Sequence, residues 1–530
     1  MPSIDSRCPS AFDSLLRKVA VNELRRPSGF RRAFDKAVAE PLRPLIALAG
    51  VLVAVGAFVG VVAMLGGPVV GDASASLYST WAIQHGQFAC AYPPLSNLSS
   101  IPGIARPAAA ITPLYPLLSG AIAALVQVGH GHVFPSGSFG PSCTHAYVSI
   151  FHWSESSGVA NDTLRIGYIS GIILLGGALA LLRVSGRGRR LIEPATLVAV
   201  ATLAPVLAAL VQFFHPQDVM ALGLTLFALS GALQRRWMRA GVFIGLAIVT
   251  QQYALLVFAS LFFAIPSDGR WRYIVSAACA AAIVDIPFLI VTTGRALRAI
   301  VNGSAPSFGG TVLWEMRIPP LPLYFLARIL PILLAGAIGW YVRRRAGDRI
   351  LQPTMLISLA GTSFAVRLVL EVNLWGYYFM ALAVSIVLLE VVRGRVRTEA
   401  VAWLLTLTLA FSPIPGPYQS NARLWDIYTQ LDLGKIVVGA AALYVVVGLL
   451  HRRIHWFWIA WVVFTAIAFV HLPGIDFLQH HAWPRWLWQV LLVPSGLALV
   501  STPLVTAIRN RTVPADDHVG IAPTDVSTLS

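Results

Sequence analysis

The sequence predicts an all-α polytopic membrane protein of about fourteen membrane segments. Three observations carry this expectation. Of 530 residues, 57% are hydrophobic and only 12% charged, against about 25% charged in a soluble domain. Apolar runs of about 17–25 residues recur along the chain, the length that spans a bilayer as a helix. Arginines sit in short clusters between those runs: Arg187, Arg189 and Arg190; Arg235, Arg236 and Arg239; Arg343, Arg344 and Arg345; Arg393, Arg395 and Arg397. The net charge of +16 is therefore a positive-inside pattern that orients a membrane protein, and nucleic acid is not an expected partner.

Residues 1–43 read as a basic cytoplasmic arm, without the short apolar core and small-residue site of a cleaved signal peptide. Residues 44–509 form the transmembrane domain, and 510–530 a polar, disordered tail. The first span runs from about Pro44 to Pro68 and leads into a large outer loop over residues 67–163. Within that loop Ile111–Val128 is apolar. As a crossing it would reverse the sidedness of every later basic loop, so it is read as an interfacial or re-entrant helix. Cys90 and Cys143 share the loop and are a disulfide candidate if it faces an oxidising compartment.

Further spans follow at about Leu164–Leu182, Pro194–Gln212 and Val219–Leu233. The run Gly241–Pro266 has basic flanks at both ends. Two short helices meeting at Thr250-Gln251-Gln252-Tyr253 would keep both flanks inside, where one crossing would not. Spans near Tyr273–Thr293, Leu321–Val342, Ile350–Leu370, Trp375–Val391, Ala400–Phe411, Ile436–Leu450, Trp456–Val470 and Trp486–Ile508 complete the bundle, with both termini inside. Asp285 and Arg328, each within an apolar run, are expected to pair structurally.

Functional-looking side chains gather in the outer loops. Asp72, just past the first span, is either a general base or the N-cap of the segment that follows it. His215-Pro216-Gln217-Asp218 is either a polar edge of a substrate site or a proline turn with a capping Asp. Gln251 and Gln252 can donate to phosphate or sugar oxygens without charge. Arg367 and Glu371 stand one turn apart, followed by Trp375, Tyr377 and Tyr378. They read either as a phosphate-binding fork or as a local i,i+4 ion pair. Arg295, Arg298 and Arg317 compete for the phosphate role, and His480-His481 reads as a wet loop. No cluster has the three or four ligands of a metal centre, and no cofactor is expected.

Residues Asp72 to Pro94 read DASASLYSTWAIQHGQFACAYPP, and Pro113 to Pro116 repeat a Pro-Leu-Tyr-Pro. This loop resembles the first outer loop of the GT-C glycosyltransferases, most closely the polyprenyl-phosphomannose-dependent mannosyltransferases of glycosyltransferase family 87. The matching positions are Asp72, Tyr78, the turn at Trp81–His85, Gly86 and Tyr92-Pro93-Pro94. The resemblance implies a GT-C-like fold and an active site at the outer face of the plasma membrane. It makes Asp72 the catalytic base, with Tyr78, His85 and Tyr92 beside the substrate. The implied donor is a polyprenyl-phosphate sugar, mannose first and arabinofuranose next, and the acceptor an envelope glycolipid or glycan. Related enzymes often carry a lysine at the helix break where this chain has glutamines, so phosphate neutralisation falls to other residues. A transporter or flippase of lipid-linked sugars is the rival reading, and a non-catalytic envelope scaffold the third.

Overall fold

The computed structural model describes residues 78–83, 85–87, 113–130, 160–186, 192–212, 214–291, 311–319, 322–323, 325–372, 374–397, 399–401, 403–404, 407 and 485–509. Among these the regular elements are all helical. In order they are α1 (Leu114–His130), α2 (Ala160–Val184), α3 (Ile192–Ala201), α4 (Ala204–Leu207), α5 (Pro216–Leu233), α6 (Trp237–Ile248), α7 (Ala254–Ala264), α8 (Ser267–Val291), α9 (Val312–Glu315), α10 (Leu330–Ala346), α11 (Pro353–Val369), α12 (Met380–Arg393) and α13 (Arg485–Arg509). Among the described residues six helical stretches are long and apolar enough to cross a membrane, and α3 with α4 makes a seventh if that bent pair is one span. This is the build of a multi-pass α-helical membrane protein. The first expected span, the terminal arm and tail, and the expected spans at Ile436–Leu450 and Trp456–Val470 lie outside the described residues.

Small residues set how the helices approach. A Cβ added at Gly223 on α5 would lie 2.6 Å from the backbone of Ile173 on α2, so these two helices touch main chain to main chain. Gly167 faces Phe214 and Pro216, while Gly177 faces Gly223 and Leu226. Contacts that advance together along both chains make α2 and α5 parallel. Without a hydrophobic drive between helices in lipid, such close van der Waals contact is what holds a bundle together.

The same logic orders α6, α7 and α8. Gly269, near the start of α8, lies against the Trp237 ring at the start of α6, and Gly245 further along α6 faces Ala277 on α8. So α6 and α8 run parallel from one end and pack directly on each other, and α7, which joins them in sequence, must run back; its backbone at Ser260 meets Gly339 of α10. At 12 and 11 residues α6 and α7 are each about 17–18 Å long, well short of the ~30 Å hydrocarbon core. The expected broken hairpin is thus present, with its tip at residues 249–253 and both basic flanks, Arg236 and Arg272, at one end.

Two expectations need correction. The run Pro194–Gln212 is not one straight span: it bends by 54° between α3 and α4. Leu203 there is extended (ψ 128°), and Pro205 begins the next helix because its missing N–H has no intrahelical role at that position. Arg328 does not pair with Asp285. It lies in a π turn (Phe325–Ile329) leading into α10 and reaches Glu371 instead, NH1 to Oε1 at 3.5 Å.

Candidate functional site

One end of α5, α11 and α12 is built from irregular backbone. A π turn (Ala208–Gln212) precedes α5, another precedes α10, a 3-10 turn (Gly376–Phe379) precedes α12, and the α6/α7 tip lies beside them. Such departures free backbone groups and re-aim side chains, and π turns are frequent at functional sites. Phe214, just before α5, adopts φ +50°, a left-handed conformation uncommon for a bulky side chain. Its ring fills the gap left by Gly167, and the His215 N–H donates to the Ala209 carbonyl at 2.6 Å.

His215 sits at the N-cap position of α5, and Asp218 lies buried in the first turn. Their side chains approach to 3.5 Å, Nδ1 to Oδ2. The other imidazole nitrogen, Nε2, is 3.2 Å from the Tyr377 hydroxyl, and the two rings stack at 4.6 Å. Gln217 Nε2 lies 3.1 Å from Nδ1 of the same histidine. The Tyr253 hydroxyl, from the α6/α7 tip, donates to the Asp218 carbonyl at 2.6 Å. The proline turn is therefore real, but Asp218 does not cap the helix. Its carboxylate turns toward His215.

Arg367, in the last turn of α11, faces this pair. Its guanidinium lies over the rings of Tyr378 (5.0 Å) and Tyr253 (5.5 Å), a placement that favours a planar cation. Its Nε donates to Glu371 Oε2 at 3.0 Å. Glu371 is 1% exposed, takes the Val372 N–H at 3.2 Å on Oε1, and meets Arg328 on the same oxygen. Burial strips a carboxylate of water, so two arginines and a backbone donor are what make this position tolerable. The terminal nitrogens of Arg367 make no hydrogen bond among the described residues, and Arg367 is one of the residues that line the cleft. The i,i+4 ion pair and the free donors therefore coexist.

Asp218, Tyr253, Phe364, Arg367, Tyr377 and Tyr378 line a cleft of about 20 Å³. That volume holds a water molecule or a single ligand oxygen, not a sugar ring. Among the described residues no three His, Cys, Asp or Glu side chains converge as metal ligands would.

Two further segments reach this end. The Leu114 N–H at the start of α1 donates to the Val249 carbonyl at the α6/α7 tip, at 3.3 Å. The helical turn at residues 78–83 is tied to α1 through Thr80 Oγ1 and Ser119 Oγ, 2.8 Å apart. Tyr78 and Trp81 are buried and stacked, and His85 packs on Trp81.

No family model matches this chain, and no curated protein matches it. The site is therefore read from its geometry. Of the residues expected from sequence, His215, Gln217, Asp218, Arg367, Glu371 and Tyr378 come together in one cluster. Tyr78 and His85 belong to the neighbouring turn and pack on Trp81. Gln251 Oε1 accepts the Gln252 backbone N–H at 3.1 Å, and neither glutamine is among the residues that line the cleft. Their neighbour Tyr253 does. Arg317 is exposed and stands outside the cluster. Asp72, Tyr92, Cys90, Cys143, Arg295, Arg298, His480 and His481 lie outside the described residues.

Sequence reasoning missed Gln489. Its Nε2 donates to the Leu368 and Val369 carbonyls, both at 2.8 Å, and its Oε1 accepts the Val312 N–H at 2.9 Å. It thus ties α13 and α9 to the freed carbonyls at the end of α11. An amide in an apolar run was the available signal.

Proposed function

We propose that this chain is a membrane-embedded glycosyltransferase of GT-C-like architecture, similar to the polyprenyl-phosphomannose-dependent enzymes of family 87. It moves a sugar, mannose first and arabinofuranose second, from a polyprenyl-phosphate donor to an envelope glycolipid or glycan on the outer face of the plasma membrane. The observation that carries this reading is the convergence, at the irregular end of the bundle, of Asp218, His215, Tyr377 and an Arg367 with donors to spare. The turn that follows Asp72 in sequence is anchored to α1, whose first residue bonds to the same end.

In the proposed step Asp72 takes the proton of an acceptor hydroxyl while that oxygen attacks the anomeric carbon. The bond from that carbon to the phosphate oxygen breaks, and polyprenyl phosphate leaves with the electron pair. One displacement inverts the anomeric configuration, and a phosphate needs no strong acid to depart. Arg367 NH1 and NH2 supply a planar pair of donors for phosphate oxygens. A single phosphate oxygen matches the 20 Å³ cleft, which leaves the sugar ring above it. Asp218 and Arg367 are the charged residues that line the cleft, so Arg367 is the cation that a donor phosphate would meet there. The short helices α6 and α7 also suit a transporter of the same lipid-linked sugar.

The test is transfer of radiolabelled mannose or arabinose from its polyprenyl phosphate by the chain in nanodiscs, with envelope-lipid extract as acceptor. Asp72→Asn should lower transfer by about 10²–10⁴-fold, the range for loss of a general base. Equal transfer by both proteins would remove Asp72 as base. Absence of transfer with lipid-sugar movement across liposomes would establish the transporter instead.

A further inference from the structure

The opposite ends of α5, α11 and α12 carry the arginines. Arg349 lies in the 3-10 turn before α11, Arg393 closes α12, Arg397 follows it, and Arg509 ends α13. Between these elements runs a groove of about 300 Å³, lined by Arg349, Gln352, Thr354, Arg393, Thr502 and Thr506 among others. No carboxylate is among its lining residues.

Two acids near the groove, Glu390 and Asp348, are already committed. Glu390, 2% exposed, receives the Arg397 backbone N–H and the Arg397 Nε, each at 2.7 Å. Asp348 holds Arg343 at 2.7 Å. Arg393 NH1 is left 4.0 Å from Glu390 and, though buried, has no hydrogen-bond partner. Arg349 is exposed at the other wall. Two cations thus line a concavity whose walls carry no carboxylate, with Arg393 held only by a long 4.0 Å contact to Glu390, beside the start of α11, whose first N–H groups receive no side-chain cap. This volume falls at the lower limit of small-molecule sites. Pro503 and the exposed Val505 continue from the groove along α13, an apolar path beside a polar head.

We infer that this groove binds the phosphodiester headgroup of an anionic membrane lipid, held between Arg349 and Arg393. It is separate from the cleft: Gln352 and Arg367 are the two ends of α11, about 20 Å apart along a 17-residue helix. The planar guanidinium matches two phosphate oxygens at once. The groove sits where arginine-flanked spans end, the depth at which headgroup phosphates lie.

The full chain in neutral detergent is titrated with phosphatidylglycerol, phosphatidylcholine and inorganic phosphate, with binding followed by native mass spectrometry and thermal stability. Phosphatidylglycerol is expected to bind wild type at least about fivefold more tightly than Arg349→Ala or Arg393→Ala, at roughly 1 kcal/mol per surface cation. Arg239→Ala, outside the groove, is expected to bind like wild type. Arg349→Ala alters an exposed side chain and keeps the test valid if Arg393→Ala fails to fold. Equal lipid binding by both groove variants and wild type overturns the site. Displacement of the lipid by millimolar inorganic phosphate overturns the headgroup assignment in favour of a free phosphate ligand.

Discussion

Glu371 shows how much one side chain decides here. It is buried, it fixes Arg367 through Nε, and it draws Arg328 inward. Loss of its charge leaves two partly buried guanidinium groups facing one another, and breaking a buried pair costs about 3–5 kcal/mol. Glu371→Ala should therefore lower the unfolding midpoint strongly in detergent. Tyr377→Phe removes one hydroxyl from Nε2 of His215 while keeping the stacked ring, and should cost only about 1 kcal/mol. A Tyr377→Phe protein as damaged as Glu371→Ala would show that the histidine contact, not the ion pair, organises this end. Residues near each other in sequence, such as Arg367 and Glu371 or His215 and Asp218, were legible as pairs. The partners that complete them, Arg328, Tyr377 and Tyr253, come from other helices, and no local spacing reveals them.

Among elements, the contacts that matter are those with nothing between them. The α2–α5 crossing places Gly223 against the Ile173 main chain, where a backbone carbonyl cannot swing aside as a long side chain can. Gly223→Val should force the helices apart and cost at least about 1–3 kcal/mol, the usual penalty of overpacking. A loss of the monodisperse peak on heating in fluorescence-detected size exclusion would report it. Gly86, by contrast, has φ +68° and open space around its missing Cβ, so its glycine answers to backbone conformation alone. Among the described residues the helix positions followed from apolar runs and basic flanks. The 54° bend after Ala201 and the two π turns did not, because they arise where backbone groups find partners outside their own helix.

At the scale of the molecule the two ends of the bundle differ in chemistry. One collects irregular backbone, aromatic rings and paired carboxylates; the other collects arginines. The positive-inside rule predicts a cytoplasmic arginine end, which labelling tests. In a chain whose four native cysteines are serine, Met316→Cys should react with an impermeant maleimide in intact cells. Arg344→Cys should react only after permeabilisation. Met316 is exposed and follows α9, whose Val312 is bonded to Gln489 at the cleft end. Labelling in the reverse order would invert the protein and turn the cleft toward the cytoplasm.

The sequence by itself determined the solvent and the repertoire of this protein: a chain this apolar and this poor in charge must hydrogen-bond its backbone internally, and helices do so without partners. It determined the broken hairpin at residues 249–253 as well, because charge asymmetry is a one-dimensional property of the chain. Only the tertiary structure decided which polar groups meet. Arg328 turned to Glu371 rather than Asp285, and Tyr253 rather than the adjacent glutamines lines the cleft. In an apolar medium each buried charge goes to the partner that packing brings within reach, and that choice is made between helices far apart in the chain.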